Sequence, residues 1–305
     1  MTLNQDQIAR LEHFFGSSYF STSGAVITDL DGTAVHEFEG RTVIHRSVEI
    51  GLRKIYNLGR PIVINTLRFP LSVIRTFAKD WYLISNTSIP VILLNGSQLG
   101  HITKIENEFA FEQIAAFPLS TDEIDTVLGG INRLADDQVS DIILFYYPAD
   151  WKKGEIIWTP NVERIPHLQH KYRSASTVLS MGIDELAKEL MKEPVCMILL
   201  LVDIPSDRLM AYQHTKRSNF FTHKGVDKLS GAQQMSEQLK FKLTQSIGAG
   251  DSDMDIFLKG VGLSVHVGNP SLPYEGISDT LRLRDFIEFG DLLYLFAEMQ
   301  YAVVK

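Results

Sequence analysis

The spacing of hydrophobic residues changes repeatedly along the chain, and each change marks an element. Residues 4–15 (NQDQIARLEHFF) bring Ile8, Leu11, Phe14 and Phe15 to helical intervals, with Asn4 placed to cap the start. Residues 24–29 (GAVITD) form a short β-rich run that stops at acidic residues and Gly32, as a buried strand does on entering a loop. Ser47 to Leu58 reads as a helix closed by Gly59, and residues 61–66 (PIVINT) as a second buried strand. A helical stretch from Leu71 to Ile84 leads to a third strand at 90–94 (PVILL), ended by the turn pair Asn95-Gly96. Strand, helix and strand in succession predict parallel βαβ units and a doubly wound sheet.

From about residue 114 the pattern changes. Asp122 to Leu134 is helical, and residues 141–147 (DIILFYY) and 155–158 (EIIW) flank a Pro/Asp/Lys/Gly turn, a hairpin signature. A helix at Asp184 to Lys192, a strand at 194–203 and a helix from Ser206 continue this mixed style. The first style then returns, with a helix after Lys228, strands at 243–250 and 262–269, and a terminal helix from Asp285 to Tyr301. The expected architecture is a Rossmann-like α/β core, residues 1–113 and 213–305, interrupted by an inserted α+β domain at 114–212. A length of 305 residues fits two domains, since chains beyond about 250–300 residues usually divide.

Composition narrows the partners. Lys and Arg number 29 against 37 Asp and Glu, a net charge of −8, which argues against broad attraction to nucleic acid or anionic lipid. The longest purely apolar stretch, Val195 to Val202, falls far short of the roughly 18–20 residues that cross a bilayer. The opening MTLNQDQIAR lacks signal- and transit-peptide character, and the lone Cys196 fits a reducing compartment, so a cytoplasmic location is expected.

Candidate chemistry gathers at the strand ends. Asp29 and Asp31, in Asp29-Leu30-Asp31-Gly32-Thr33, are two apart on an extended segment, so they project to one side at the carboxyl end of a parallel sheet, where open α/β folds bind ligands. Such a pair repels itself unless a hard cation such as Mg²⁺ is shared. A second acidic cluster, Asp251, Asp253 and Asp255, follows another short apolar strand. It is not an EF-hand loop, because Ile256 and Gly262 stand where glycine and a bidentate acid are required. Thr66 ends the second strand and Lys228 opens a helix; a hydroxyl and an ammonium beside a helix N-terminus suit a phosphate group.

In this order the motifs resemble those of the haloacid dehalogenase-like superfamily of phosphohydrolases, and the place of the insertion is similar to that of its Cof-type sugar-phosphate phosphatase branch. The resemblance implies Asp29 as nucleophile and Asp31 as general acid/base, with Mg²⁺ held by Asp29, Asp31 and Asp251 and supported by Asp255. It implies Thr66 and Lys228 as phosphate-binding residues, with Lys224 a competitor for the latter role, and Arg68, Asn95 and Asn269 on the substrate side. The insertion becomes a substrate-selecting cap, and the activity a Mg²⁺-dependent phosphomonoesterase for a small phosphorylated metabolite, such as a sugar phosphate. Two positions depart from the family pattern: Leu67 replaces the glycine of TGR, and Met254 the asparagine of GDxxND. A phosphomutase, or a silent binding protein on the same fold, is the alternative. A signalling receiver is disfavoured, since it lacks a second acidic cluster after its lysine. Tyr146, Tyr147, Trp151 and Trp158 are expected as packing in the insertion, with a platform for a sugar face as the lesser alternative, and His36, His45 and His101 receive no role.

Overall fold

A computed structural model of the chain describes residues 2–136, 142–202, 220–269 and 271–304. Its core is an eight-stranded sheet in the order Asp279–Leu283, Leu263–Val267, Ile247–Gly250, Val26–Thr28, Ile62–Asn65, Ile89–Leu93, Gln98–Ile105, Glu108–Ala116. The first six strands run parallel, and the last two fold back as an antiparallel hairpin. Both faces of the central strands are covered, so their residues are apolar up to the last position, Thr28 and Asn65, and sort by parity. Val26 and Ile64 pack toward Leu11, Leu52, Trp81 and Phe296, whereas Ile27, Val63 and Ile92 pack toward Ala232, Met235 and Phe257. The first layer contains the helices Gln5–Ser17, Arg46–Asn57 and Phe286–Val304, and the second contains Lys228–Leu239.

The inserted region carries its own five-stranded sheet, ordered Thr177–Leu179, Ile156–Trp158, Ile142–Pro148, Val195–Val202, Phe220–Thr222. The expected hairpin is present, with Leu144 opposite Trp158. Along Ile142–Pro148 every residue is buried, and alternation decides against what. Ile142, Leu144 and Tyr146 meet the helices Thr121–Asp136 and Ile183–Leu190, while Ile143, Phe145 and Tyr147 join a cluster that includes Phe69 and Leu94 of the core. The cap therefore lies on the loops that leave the second and third parallel strands. Tyr146 and Trp158 are cap core, and Trp151 packs edge-on against Phe111 of the core sheet.

Several elements differ from the sequence expectation. The helix expected from Leu71 to Ile84 is two helices, Pro70–Thr76 and Ala78–Ser85, broken at Phe77. The strand expected at 243–250 begins only at Ile247, because Leu243–Gln245 is a single 3₁₀ turn. Glu108–Ala116 pairs with Gln98–Ile105 at the core sheet's edge, so the core sheet runs past residue 113 before the chain enters the cap. Phe220–Thr222 pairs with Val195–Val202, so the cap sheet extends past residue 213. The helix expected from Ser206 and the return crossing near 212 lie outside the described residues. Among the described residues no helix is long and apolar enough to cross a membrane.

Candidate active site

The site forms where Val26–Thr28 and its two neighbours, Ile62–Asn65 and Ile247–Gly250, end side by side. Asp29 is the first residue past its strand, yet its N–H still donates to Ala249 O at 2.9 Å, so the sheet fixes its backbone. The residue is 6% exposed. The chain then turns tightly, with the N–H groups of Thr33, Ala34 and Val35 all donating to Leu30 O. Gly32 adopts φ +79° in this turn, and a Cβ there would lie 2.2 Å from Asp251 Oδ2. Only glycine lets the first acidic loop approach the second this closely.

Lys228 is 2% exposed, and its Nζ donates to Asp29 Oδ1 at 2.8 Å and to Asp255 Oδ1 at 2.6 Å. Its place is set by the helix start. Asp227 caps the helix by accepting from the N–H groups of Leu229 and Ser230, both at 2.9 Å. Asn65 Nδ2 holds Lys228 O at 2.9 Å. Gly96, at φ +96°, brings the loop after the third parallel strand against Asp227 O, where a Cβ would lie 2.2 Å away. Lys224, the competing lysine, is exposed; its N–H donates to Glu123 Oε1 at 2.7 Å, in the cap.

Asp255 is fully buried and saturated. Besides Lys228 it accepts from the N–H groups of Asp251 and Ser252, at 3.0 and 2.9 Å, and from Ser252 Oγ. It braces the loop that presents Asp251, and Asn269 Nδ2 holds the same loop through Asp251 O at 3.0 Å. Thr66 is buried; its N–H donates to Ile92 O, and its Oγ1 accepts from Arg68 N. Asn95, expected on the substrate side, braces Thr66 instead, its N–H reaching Thr66 O at 3.4 Å. It is not among the residues lining the cleft.

Arg68 grips Asp31 with two bonds of 2.7 Å, from Nε and Nη2, and its third arm reaches Ser72 Oγ at 3.1 Å. This bidentate pair holds both Asp31 oxygens. Asp31, expected from the resemblance among the metal ligands, thus stands apart from the grouping of carboxylates that the structure brings together, Asp29, Asp251 and Asp255.

Oxygens of those three acids lie within 4.8 Å of one another. Three carboxylates against the single ammonium of Lys228 leave an excess of two negative charges if all are ionised. Burial, then the neighbouring Asp255, Asp251 and Asp31 carboxylates, push Asp29 well above the usual carboxyl range against the opposing pull of Lys228. Asp251 is pushed up to about 7, first by burial and then by Asp255. Burial works against the charge on Lys228, but the carboxylates of Asp255 and Asp29 outweigh it and hold the ammonium charged. An all-oxygen donor set with two charges to spare fits a hard divalent cation. Asp29 and Asp251 are the carboxylates with oxygens left for such an ion, since those of Asp255 are already taken.

A cleft of about 680 Å³ opens above these groups. Asp29, Asp31, Thr66, Lys228 and Asp251 line its floor, and its wall is a two-stranded flap, Val35–Phe38 paired with Arg41–Ile44. His36 of the flap stacks on Phe286 at 4.1 Å between ring centres. Both departures from the family pattern, Leu67 and Met254, face this cleft. Sequence reasoning missed Asn65 and the flap, and gave Asp227 no role. The Asp227-x-x-Ser230 capping box was the one legible signal among them.

Residues 182–274 match the family model described as haloacid dehalogenase-like hydrolase. No curated protein sequence matches the chain. Among solved structures, the fold is similar to that of BT1666 from Bacteroides thetaiotaomicron, a phosphatase of the haloalkanoate (HAD) enzyme superfamily. That likeness has 16% identity and a TM-score of 0.60 over 93% of this chain and 97% of that one. It is also similar to the subclass IIB sugar phosphatase BT4131, with 16% identity and a TM-score of 0.59 over 93% and 100%. TM0651 from Thermotoga maritima gives 17% identity and a TM-score of 0.58 over 91% and 97%. At such identities the structural likeness is one of fold, and the ordered site residues and the family match stand beside it. What the chain shares with these proteins is a fold over most of its length and, across residues 182–274, the sequence pattern of that family model.

Proposed function

We propose that the protein is a Mg²⁺-dependent phosphomonoesterase that acts on a small phosphorylated metabolite through an aspartyl-phosphate. The observation that carries this reading is a buried Asp29, rigid at a strand end, surrounded by Lys228 and Asp251 and followed two residues later by Asp31. A bound divalent cation, held by Asp29 and Asp251, would neutralise phosphate charge and favour its transfer. In the first step an Asp29 carboxylate oxygen attacks phosphorus, the bond to the leaving oxygen breaks, and Asp31 delivers a proton to that oxygen. In the second step Asp31, now a carboxylate, takes a proton from water as it attacks phosphorus, which returns Asp29 and releases inorganic phosphate. Lys228 and Thr66 bind the phosphoryl oxygens as charge develops on them.

For Asp31 to reach the leaving oxygen, the Arg68 pair must open, since the guanidinium occupies both carboxylate oxygens. Substrate phosphate offers Arg68 a competing anion. The test is phosphate release from p-nitrophenyl phosphate and a panel of sugar and polyol phosphates. Chelation should abolish it and Mg²⁺ restore it; full activity in excess EDTA would overturn the metal assignment.

A further inference from the structure

The turn that closes the third parallel strand holds a backbone conformation that its first residue disfavours. Leu94, Asn95 and Gly96 stand in succession at φ +50°, +57° and +96°. Glycine adopts such values freely and asparagine tolerates them, but leucine does so at a cost, because its Cβ crowds the following carbonyl. Among the described residues the other non-glycine positions of positive φ, Glu39, Asn86, Glu106 and Lys240, are exposed and lie at turns or helix ends. Leu94 is 1% exposed. A strained backbone of this kind persists only where its surroundings hold it.

Two sets of contacts converge on this turn, and the first comes from the cap. Leu94 belongs to a buried apolar cluster to which the core otherwise adds only Phe69; the remaining buried members, Phe145, Tyr147, Met197 and Leu199 among them, are cap residues. The second set leads to the catalytic groups. The N–H of Leu94 donates to Arg68 O at 3.2 Å and that of Asn95 to Thr66 O at 3.4 Å, so the turn holds the backbone on both sides of Leu67. Gly96 abuts the backbone of Asp227, which caps the Lys228 helix, and a Cβ on Gly231 of the same helix would lie 3.1 Å from Gly96 Cα. Rotation about the Leu94 backbone would redirect the Asn95 N–H and carry Gly96 with it.

We propose that Leu94 is a positioning residue: the cap encloses its side chain, keeps the turn in its left-handed form, and through the turn fixes Thr66, Arg68 and the start of the Lys228 helix for phosphoryl transfer. The inference rests on the phosphomonoesterase reading and adds to it a dependence of the core's geometry on the seated cap, which needs no contact between cap and substrate. Simple packing and this role predict opposite orders for two substitutions. If Leu94 only fills space, Leu94→Ala, which keeps a methyl group, is milder than Leu94→Gly, which keeps none. If it holds a strained turn, Leu94→Ala is the harsher change, because it removes the cap's grip and leaves the strain, whereas glycine takes the left-handed form without cost.

The experiment measures p-nitrophenyl phosphate hydrolysis with Mg²⁺, and thermal melting, in wild type, Leu94→Ala, Leu94→Gly and Leu186→Ala. The last opens a cavity in the other cap cluster, which does not include the turn. Leu94→Ala should lower kcat/KM by about tenfold or more, chiefly through kcat, since misplaced phosphoryl-binding groups are felt most in the transition state. Leu94→Gly should stay within about threefold of wild type. Leu186→Ala should melt at a lower temperature, with kcat within about threefold of wild type. If Leu94→Ala does not fold, Leu94→Val takes its place, as a branched side chain opposes positive φ still more. A folded Leu94→Ala with wild-type kcat overturns the inference and leaves the phosphatase reading in place. So does a Leu94→Gly that is no faster than Leu94→Ala or fails to fold where it folds, and so does a Leu186→Ala as slow as Leu94→Ala. A wild type that releases no phosphate from p-nitrophenyl phosphate or from the sugar and polyol phosphates overturns the phosphatase reading itself.

Discussion

At the scale of single residues, the site depends on one cation. Lys228 is the partner that the buried carboxylates of Asp29 and Asp255 share, and both lose it together. Lys228→Met should therefore lower kcat/KM by about 10²-fold or more, because a positive group at the transferring phosphoryl is lost. It should also destabilise the metal-free protein by about 3–5 kcal/mol, the usual cost of leaving buried charge unpaired. Steady-state kinetics and denaturant unfolding in EDTA check the two parts; a variant of wild-type stability would show that Lys228 does not balance the cluster. Asp29, Asp31, Thr66, Lys228, Asp251 and Asp255 were legible in sequence because each closes a strand, opens a helix or lies in an acidic run. The partners that orient them were not. Asn65 sits inside the apolar run PIVINT and reaches Lys228 from 163 positions away, and nothing local reveals that bond. The grip of Arg68 on Asp31 is hidden for the same reason, although both residues were marked individually.

At the scale of elements, the approach of two acidic loops depends on Gly32. Gly32→Ala places a methyl group within the space of the Asp251 carboxylate, at a φ that an L side chain disfavours. The expected result is a Mg²⁺ half-saturation at least tenfold higher, read both by activity and by the Mg²⁺-dependent rise in melting temperature. An unchanged metal titration would mean that Asp251 is not a ligand. The strands around the site were readable since their apolar runs are covered on both faces. The flap was not, because Val35–Phe38 and Arg41–Ile44 are short and mostly half-buried or exposed, and no alternation marks them. Its turn uses Glu39 and Gly40, both at positive φ, without the Asn-Gly pair that would announce it. The edge hairpin Gln98–Ile105 and Glu108–Ala116 escaped similarly: the outer strand is half-exposed along its length. The break at Phe77 lies within a continuous helical pattern and follows tertiary packing, as Phe77 is buried under the Arg68 guanidinium at 4.8 Å.

For the whole molecule, the insertion of a second sheet was evident from the change in hydrophobic spacing, but its exact seams were not, since core and cap both use strands there. Cap and core meet through the face that buries Glu155, and global stability should register that group. Its carboxyl is held up to about 7 in the folded protein against an ordinary value near 4.5. The folded state thus keeps a proton that the unfolded state releases. This contribution to stability is complete below about 4.5 and lost as pH rises to about 7 and beyond. Glu155→Gln removes the titration, so its stability relative to wild type should improve between pH 5 and pH 8, by up to about 3 kcal/mol. A constant difference across that range would show that Glu155 titrates normally.

The central claim is that Asp29 is the nucleophile and Asp31 the proton carrier, and it has one direct test. The protein is mixed with Mg²⁺ and a substrate with a good leaving group, quenched rapidly in acid, and the peptide spanning Asp29 and Asp31 is mapped by mass analysis. The expected result is an acid-stable phosphate on Asp29, absent from Asp29→Asn and more abundant in Asp31→Asn, where water activation is slowed but the nucleophile remains. Phosphate on Asp31, or turnover by Asp29→Asn near the wild-type rate, would contradict the account.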